Sequence, residues 1–206
     1  NGVARPVREH LRADLEYQDK SVRFLENHDE DRAAAVFPPD RHRAAAVLAY
    51  LCPGLRFFHQ GQFTGRRKLV PVHLCREPEE PTDRAIEEFY RNLLTCLRLP
   101  AFRDGEWRLL DCNPAWEGNP SHDGYIAFAR ERRGERFVVA VNYAPDRGQC
   151  YVPLPWADLA GKTVRLVDLL GLAQYDRDGE SLLVPGLYLD IPGWGCHVFN
   201  VDAAGG

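Results

Sequence analysis

The fold class this sequence predicts is an α/β segment followed by an all-β domain. Three observations carry it. Up to about residue 103, helical patterns alternate with short apolar strand patterns. Both strand patterns run into polar stretches at their C-terminal ends. Beyond residue 103, short β-branched and aromatic runs are separated by Asp-Gly, Arg-Gly and Pro-Gly turns. Strand–helix–strand–helix order marks a parallel sheet. Closely spaced strands with turn residues between them mark an antiparallel sandwich or barrel.

The elements follow in order. Val7 to Lys20 reads as one helix, with Val7, Leu11 and Leu15 near one face. Ser21 to Glu26 is a strand that runs into Asn27-His28-Asp29-Glu30-Asp31-Arg32. Pro38-Pro39-Asp40 opens an Ala-rich helix from Arg41 to Leu51, closed by Pro53-Gly54. Leu55 to His59 is a second strand, ending in Gln60-Gly61-Gln62. A Pro-rich loop follows. Thr82 is placed to cap a helix to Leu97, with Ile86, Phe89, Tyr90, Leu93, Leu94 and Leu97 at helical spacing. Strands are then expected near 106–112, 124–130, 137–143, 149–153, 163–168, 181–184, 187–191 and 196–201.

Composition narrows the function classes. The hydrophobic fraction of 45% and charged fraction of 27% are ordinary for a globular chain. The net charge of -4 is dispersed, without the basic face of a nucleic-acid binder. No apolar run is long enough to span a membrane. The six cysteines, Cys52, Cys75, Cys96, Cys112, Cys150 and Cys196, show no CxxC pairing. That spacing argues against zinc and for free buried thiols. The expectation is a reducing compartment, the cytoplasm, and no cofactor or metal.

Phe24-Leu25-Glu26-Asn27-His28-Asp29 is the informative run. An apolar strand hands the chain to an amide, an imidazole and a carboxylate at its end. Sugar chemistry needs such groups, a carboxylate against the charge developing at the anomeric carbon and hydrogen bonds to hydroxyls. The plainer reading is a loop whose Asn and Asp bond local backbone amides.

The run resembles the last short motif of the α-amylase family of glycoside hydrolases, in which a barrel strand ends in Asn-His-Asp. Pro53-Gly54-Leu55-Arg56-Phe57-Phe58-His59-Gln60-Gly61-Gln62 resembles the same family's next strand and its Gly-Gln loop. Phe102-Arg103-Asp104-Gly105-Glu106-Trp107 and Pro192-Gly193-Trp194-Gly195 are similar to its bacterial members. The resemblance implies that residues 1–103 are the end of a (β/α)8 catalytic barrel and that residues 104–206 are an antiparallel β-sandwich. It further implies a retaining hydrolase or transglycosylase acting on α-glucans such as starch, glycogen or maltooligosaccharides. Asp29 matches the family's transition-state-stabilising carboxylate, and His28 a hydrogen-bond donor in the same subsite. Asn27, Arg32, His59 and Gln62 are candidate substrate-binding residues. Arg32 is otherwise expected to pair with Asp29, Glu30 or Asp31, and His59 and Gln62 to pack or bond within their loop.

The family's nucleophile and general acid have no convincing counterparts. Leu11-Arg12-Ala13-Asp14 echoes the nucleophile motif but lacks an apolar strand before it, so Asp14 reads as a solvated helix residue. The resemblance thus implies a parent enzyme, with this chain inactive by itself. Its partners would be an α-glucan and the N-terminal part of the same barrel, or another copy in its absence. No nucleic-acid or membrane partner is expected. The alternative is a non-catalytic carbohydrate-binding or structural β-module. Trp107, Trp116, Trp156 and Trp194 are candidates for stacking on sugar, Trp116 foremost.

Overall fold

The computed structural model describes residues 4–74 and 76–203. Cys75 and the first three residues lie outside them. Helices α1 (Ala4–Leu11) and α2 (Leu15–Lys20) lead into strand β1 (Val22–Arg23). The short α3 (Ala33–Val36) and then α4 (Pro39–Leu51) follow. Strand β2 (Leu55–Arg56) lies parallel to β1, with Val22 opposite Leu55. Helices α5 (Arg84–Arg98) and α6 (Pro100–Asp104) close this part.

Two helix boundaries differ from the sequence reading. The expected helix over residues 7–20 is broken in two, because the Asp14 carboxylate accepts a hydrogen bond from Tyr17 N at 2.9 Å and starts a second helix. Asp14 is therefore an exposed cap. The cap of α5 is Asp83, not Thr82: its carboxylate accepts from the amides of Ala85 and Ile86. Pro39 opens α4 at its first turn, where a missing N–H costs nothing.

The β-part begins with β3 (Glu106–Leu110) and the short β4 (Asn113–Pro114). Strands β5 (Tyr125–Arg132), β6 (Glu135–Asn142), β7 (Gly148–Val152) and β8 (Thr163–Asp168) follow. Last come β9 (Gln174–Asp178), β10 (Leu187–Ile191) and β11 (Cys196–Ala203). They form a six-stranded sheet, β3-β5-β6-β11-β8-β9, and a three-stranded sheet, β10-β7-β4. All pairings in these two sheets are antiparallel.

The large sheet is covered on both faces. Ile126, Phe128, Val139 and Val141 point to α4 and α5, in one core with Val47, Leu51, Tyr90 and Leu93. Tyr125, Ala127, Val138 and Ala140 point the other way, against Cys150, Val152, Leu187 and Leu189 of the small sheet. Two-sided burial explains why β5 and β6 read as nearly continuous apolar runs. Buried Arg130 ties the two parts together. Its guanidinium donates to Leu51 O on α4 and to Gly105 O.

Two strands escaped the sequence reading and one segment was misread. Strand β9 is an exposed edge of polar residues, without the alternation that marks a half-buried strand. Strand β4 is two residues long. Residues 181–184 were expected as a strand. Residues 181–183 form a helical turn instead, opened by Asp178 Oδ2, which accepts from Ser181 N at 2.9 Å, and Val184 alone is extended.

Candidate functional site

Strands β1 and β2 run side by side, so their polar loops leave from the same end. Phe24 and Phe57 meet edge to face there, with ring centroids 6.3 Å apart. Beyond them the first loop carries Asn27, His28 and Asp29, and the second carries His59, Gln60 and Gln62.

The first loop is shaped by Asn27, whose Oδ1 accepts hydrogen bonds from Asp29 N at 2.8 Å and Glu30 N at 2.9 Å. This is the local backbone role foreseen as the plainer reading of the motif. The turn leaves the side chains of His28 and Asp29 in solvent, 59% and 77% exposed, with His28 Nε2 3.3 Å from Asp29 Oδ2. Asp29 is thus a free carboxylate held at a fixed place by backbone bonds that do not use it.

Arg32 is elsewhere. Its side chain is buried and faces an equally buried Glu26, 2.8 Å from Nη2 to Oε1, with relative exposures of 4% and 1%. It pairs with none of Asp29, Glu30 and Asp31. Its buried guanidinium also donates to Gln60 O at 2.8 Å, which joins the two loops. Glu26 Oε2 accepts from Ala33 N at 2.6 Å. Oε1 and Arg32 Nε have no aligned hydrogen bond despite the short ion-pair distance. Burial pushes the Glu26 carboxyl up; the Ala33 amide and Arg32 hold it down in part. Burial thus turns the Arg32 guanidinium to Glu26 and Gln60 O inside the protein.

Gln62 is buried as well. Its amide nitrogen donates to the hydroxyls of Tyr50 and Tyr90, both at 2.7 Å, and its oxygen accepts from His59 N at 3.2 Å. All of its polar capacity toward the pocket side is spent inside the protein. His42 Nε2 lies 2.8 Å from the same Tyr90 hydroxyl. Burial raises the Tyr50 hydroxyl to about 12 and lowers His42 to about 4. Gln62 braces His59 through its side-chain oxygen.

His59 stays half-buried at the loop surface, its ring stacked on Phe57 at 6.5 Å. Its pKa is lowered, first by burial and then by the positive charges of Arg32 and His28. Gly61 fits this crowding: at φ 82° it is left-handed, and a Cβ would fall 3.0 Å from Arg32 Nη2. The site residues that sequence reasoning missed are Glu26 and the groups that hold Gln62 in place, Tyr50, Tyr90 and His42. A Glu inside an apolar strand, with Arg six residues on, was the available signal.

Among the described residues, no three His, Cys, Asp or Glu side chains gather as a metal ion would require. Of the tryptophans, Trp116 is exposed, while Trp156 is buried and donates its Nε1–H to Glu131 at 2.5 Å.

No protein-family model and no curated protein matches the sequence. Solved structures do match. An α-amylase from Geobacillus thermoleovorans, complexed with acarbose, aligns at a TM-score of 0.69 and 18% identity, over 98% of this chain and 43% of that one. The chain shares the fold of α-amylases. An α-amylase from Anoxybacillus aligns at 0.66 and 18% identity, over 98% of this chain and 47% of its own. A debranching enzyme from Nostoc punctiforme, soaked with acarbose, aligns at 0.64 and 20% identity, over 96% and 37%. The α-amylase fold of this chain thus spans less than half the length of these structural relatives.

Proposed function

We propose that this chain is the C-terminal part of an α-amylase-like retaining glycoside hydrolase or transglycosylase acting on α-glucans. Asp29 is its transition-state-stabilising carboxylate. The observation that carries the reading is one arrangement. Two parallel strands deliver an exposed His28–Asp29 pair and a half-buried His59 to the same end, on a fold shared with α-amylases. At the C-terminal face of barrel strands, such groups meet substrate. Asp29 would hold sugar hydroxyls beside the reacting carbon and oppose the positive charge of the oxocarbenium-like transition state. His28, and His59 at the rim, would donate or accept hydrogen bonds to hydroxyls. The nucleophile and acid, about 5 Å apart in a retaining enzyme, would come from strands outside this chain.

The strand pair supports the same reading. Parallel sheets are normally covered on both faces. Here Leu25 and Phe58 pack inward, while Val22, Phe24, Leu55 and Phe57 are exposed on the other face. The remainder of the barrel would cover that face, or a second copy of this chain in its absence. Substitution tests the assignment. Asp29→Asn in the full-length enzyme should lower turnover of maltooligosaccharides by about a hundredfold or more, the scale of a lost transition-state contact. The melting temperature should hold, because the Asp29 carboxylate makes no buried contact. Near-normal turnover would refute the role.

A further inference from the structure

The chain passes from the large sheet to the small one at a corner between β3 and β4, through Asp111 and Cys112. Cys112 sits there half-buried, against the core that holds the buried Cys150 of β7. We infer that Cys112 and Cys150 form a reversible oxidation site, at which hydrogen peroxide converts the two thiols to an intramolecular disulfide.

The strand register brings the two cysteines together. Strand β4 pairs antiparallel with β7, Asn113 opposite Tyr151 and Pro114 opposite Cys150. Side chains alternate along an extended chain, so Cys112, two residues before Pro114, falls on the Cys150 side of the sheet. The Cys150 thiol meets Cys112 at hydrogen-bonding range; that contact first, and burial second, push its pKa up. A disulfide needs the two β-carbons about 4 Å apart. Cys112 precedes the first paired residue of β4, itself a two-residue strand at the sheet edge, so no ladder bond holds Cys112 away from its partner.

The other cysteines among the described residues are placed differently. Cys52 and Cys96 are buried in the core on the opposite face of the large sheet, and Cys196 packs against that core. Burial raises the thiols of Cys52, Cys96 and Cys196 to about 12, 11 and 12. The thiolate is the form that attacks an oxidant, so these three are protected. Within the pair, solvent reaches Cys112 but not Cys150. Cys112 therefore reacts first, and Cys150 resolves it.

The chemistry takes two steps. The Cys112 sulfur attacks one oxygen of the peroxide and the O–O bond breaks; the sulfur becomes a sulfenic acid, and the thiol proton leaves with the other oxygen as water. The Cys150 sulfur then attacks the sulfenic sulfur and the S–O bond breaks; the Cys150 proton leaves with the hydroxide as a second water. Two thiols thus lose two electrons and two protons, and one peroxide is reduced to two waters. The disulfide ties β4, and the loop after it that carries the exposed Trp116, to the central strand of the small sheet.

The experiment treats the native 206-residue chain with hydrogen peroxide, blocks the remaining thiols and maps tryptic peptides by mass spectrometry. Peptides 109–130 and 148–162, which carry Cys112 and Cys150, should appear as one linked species, two hydrogens lighter than their sum. Dithiothreitol should separate them. Dimedone, which traps sulfenic acid, should label Cys112 in Cys150→Ser and leave the wild type nearly unlabelled. Since Cys150→Ser alters a buried position, Cys112→Ser is the second variant; at its half-buried corner it should keep the wild-type melting temperature and lose the link. Both thiols still reduced at a peroxide dose that oxidises free cysteine would overturn the inference. So would dimedone labelling of Cys112 in the wild type as strong as in Cys150→Ser, or a link from Cys112 to another cysteine in preference to Cys150.

Discussion

His42 offers the sharpest test of how the loop network is held. It is fully buried on α4, with Nε2 2.8 Å from the Tyr90 hydroxyl and Nδ1 without a partner. Burial, the largest cause, lowers its pKa from 6.5 to about 4; Asp83 opposes the drop and Arg43 adds to it. A lowered folded pKa means that the unfolded chain takes up the proton first. Stability from neutral His42 is therefore complete above 6.5 and lost as pH falls from 6.5 towards 4. Linkage puts the loss at about 2 kcal/mol at pH 5 and about 3 kcal/mol at pH 4. The assay is urea unfolding of wild type and His42→Gln at pH 7, 5 and 4. Gln keeps a hydrogen bond to Tyr90 but does not titrate. Other acid-sensitive groups, such as Asp158 with its carboxyl pulled down to about 2 by Arg136, cancel in the difference. The wild type should lose about 3 kcal/mol more than His42→Gln between pH 7 and pH 4. Equal losses would show that His42 is not buried as a neutral group.

Further outcomes follow from the same contacts. Arg32→Ala should destabilise the chain by about 3–5 kcal/mol in denaturant unfolding, because it strands the buried Glu26 carboxylate; a change under 1 kcal/mol would mean that the pair is solvated. Thiol titration should find at least five reactive thiols in denatured, unreduced protein, those of Cys52, Cys96, Cys112, Cys150 and Cys196, and very slow reaction of Cys52 in the native state, where burial raises its pKa to about 12; fast native labelling of Cys52 would count against its burial. Limited proteolysis should cut first among residues 67–74, which are largely exposed and outside helices and strands, with mass spectrometry locating the nick. Early cutting within β8 would contradict the packing of the sheet.

Much of the architecture was legible because short-range rules govern it. Helix α4 is marked by its Pro-Pro-Asp start and Pro-Gly end, and α5 by an apolar stripe at helical spacing. Strands β8 and β10 were placed at their observed bounds, because alternation and turn residues are local properties. Strand β9 was not legible, since a solvated edge needs no apolar alternation. Residues 181–184 misled because the apolar run Leu182-Leu183-Val184 reads as a strand, while the nearby Asp178 cap starts a helical turn at Ser181.

The candidate site divides the same way. The sequence by itself determined that Asn27, His28 and Asp29 follow an apolar strand, and it offered local bonding of the turn amides by Asn and Asp as one of two readings, of which the structure shows the Asn27 part. Each is a matter of a few adjacent residues. Only the tertiary structure decided which polar groups stay in solvent. Arg32 and Gln62 look as available as Asp29 in the sequence, yet each finds partners that lie far along the chain, Gln60 O for one and the Tyr50 and Tyr90 hydroxyls for the other. A polar side chain is buried when folding supplies enough hydrogen-bond partners to replace water. Most of those partners arrive from other elements, the nearby Glu26 of Arg32 being the local exception.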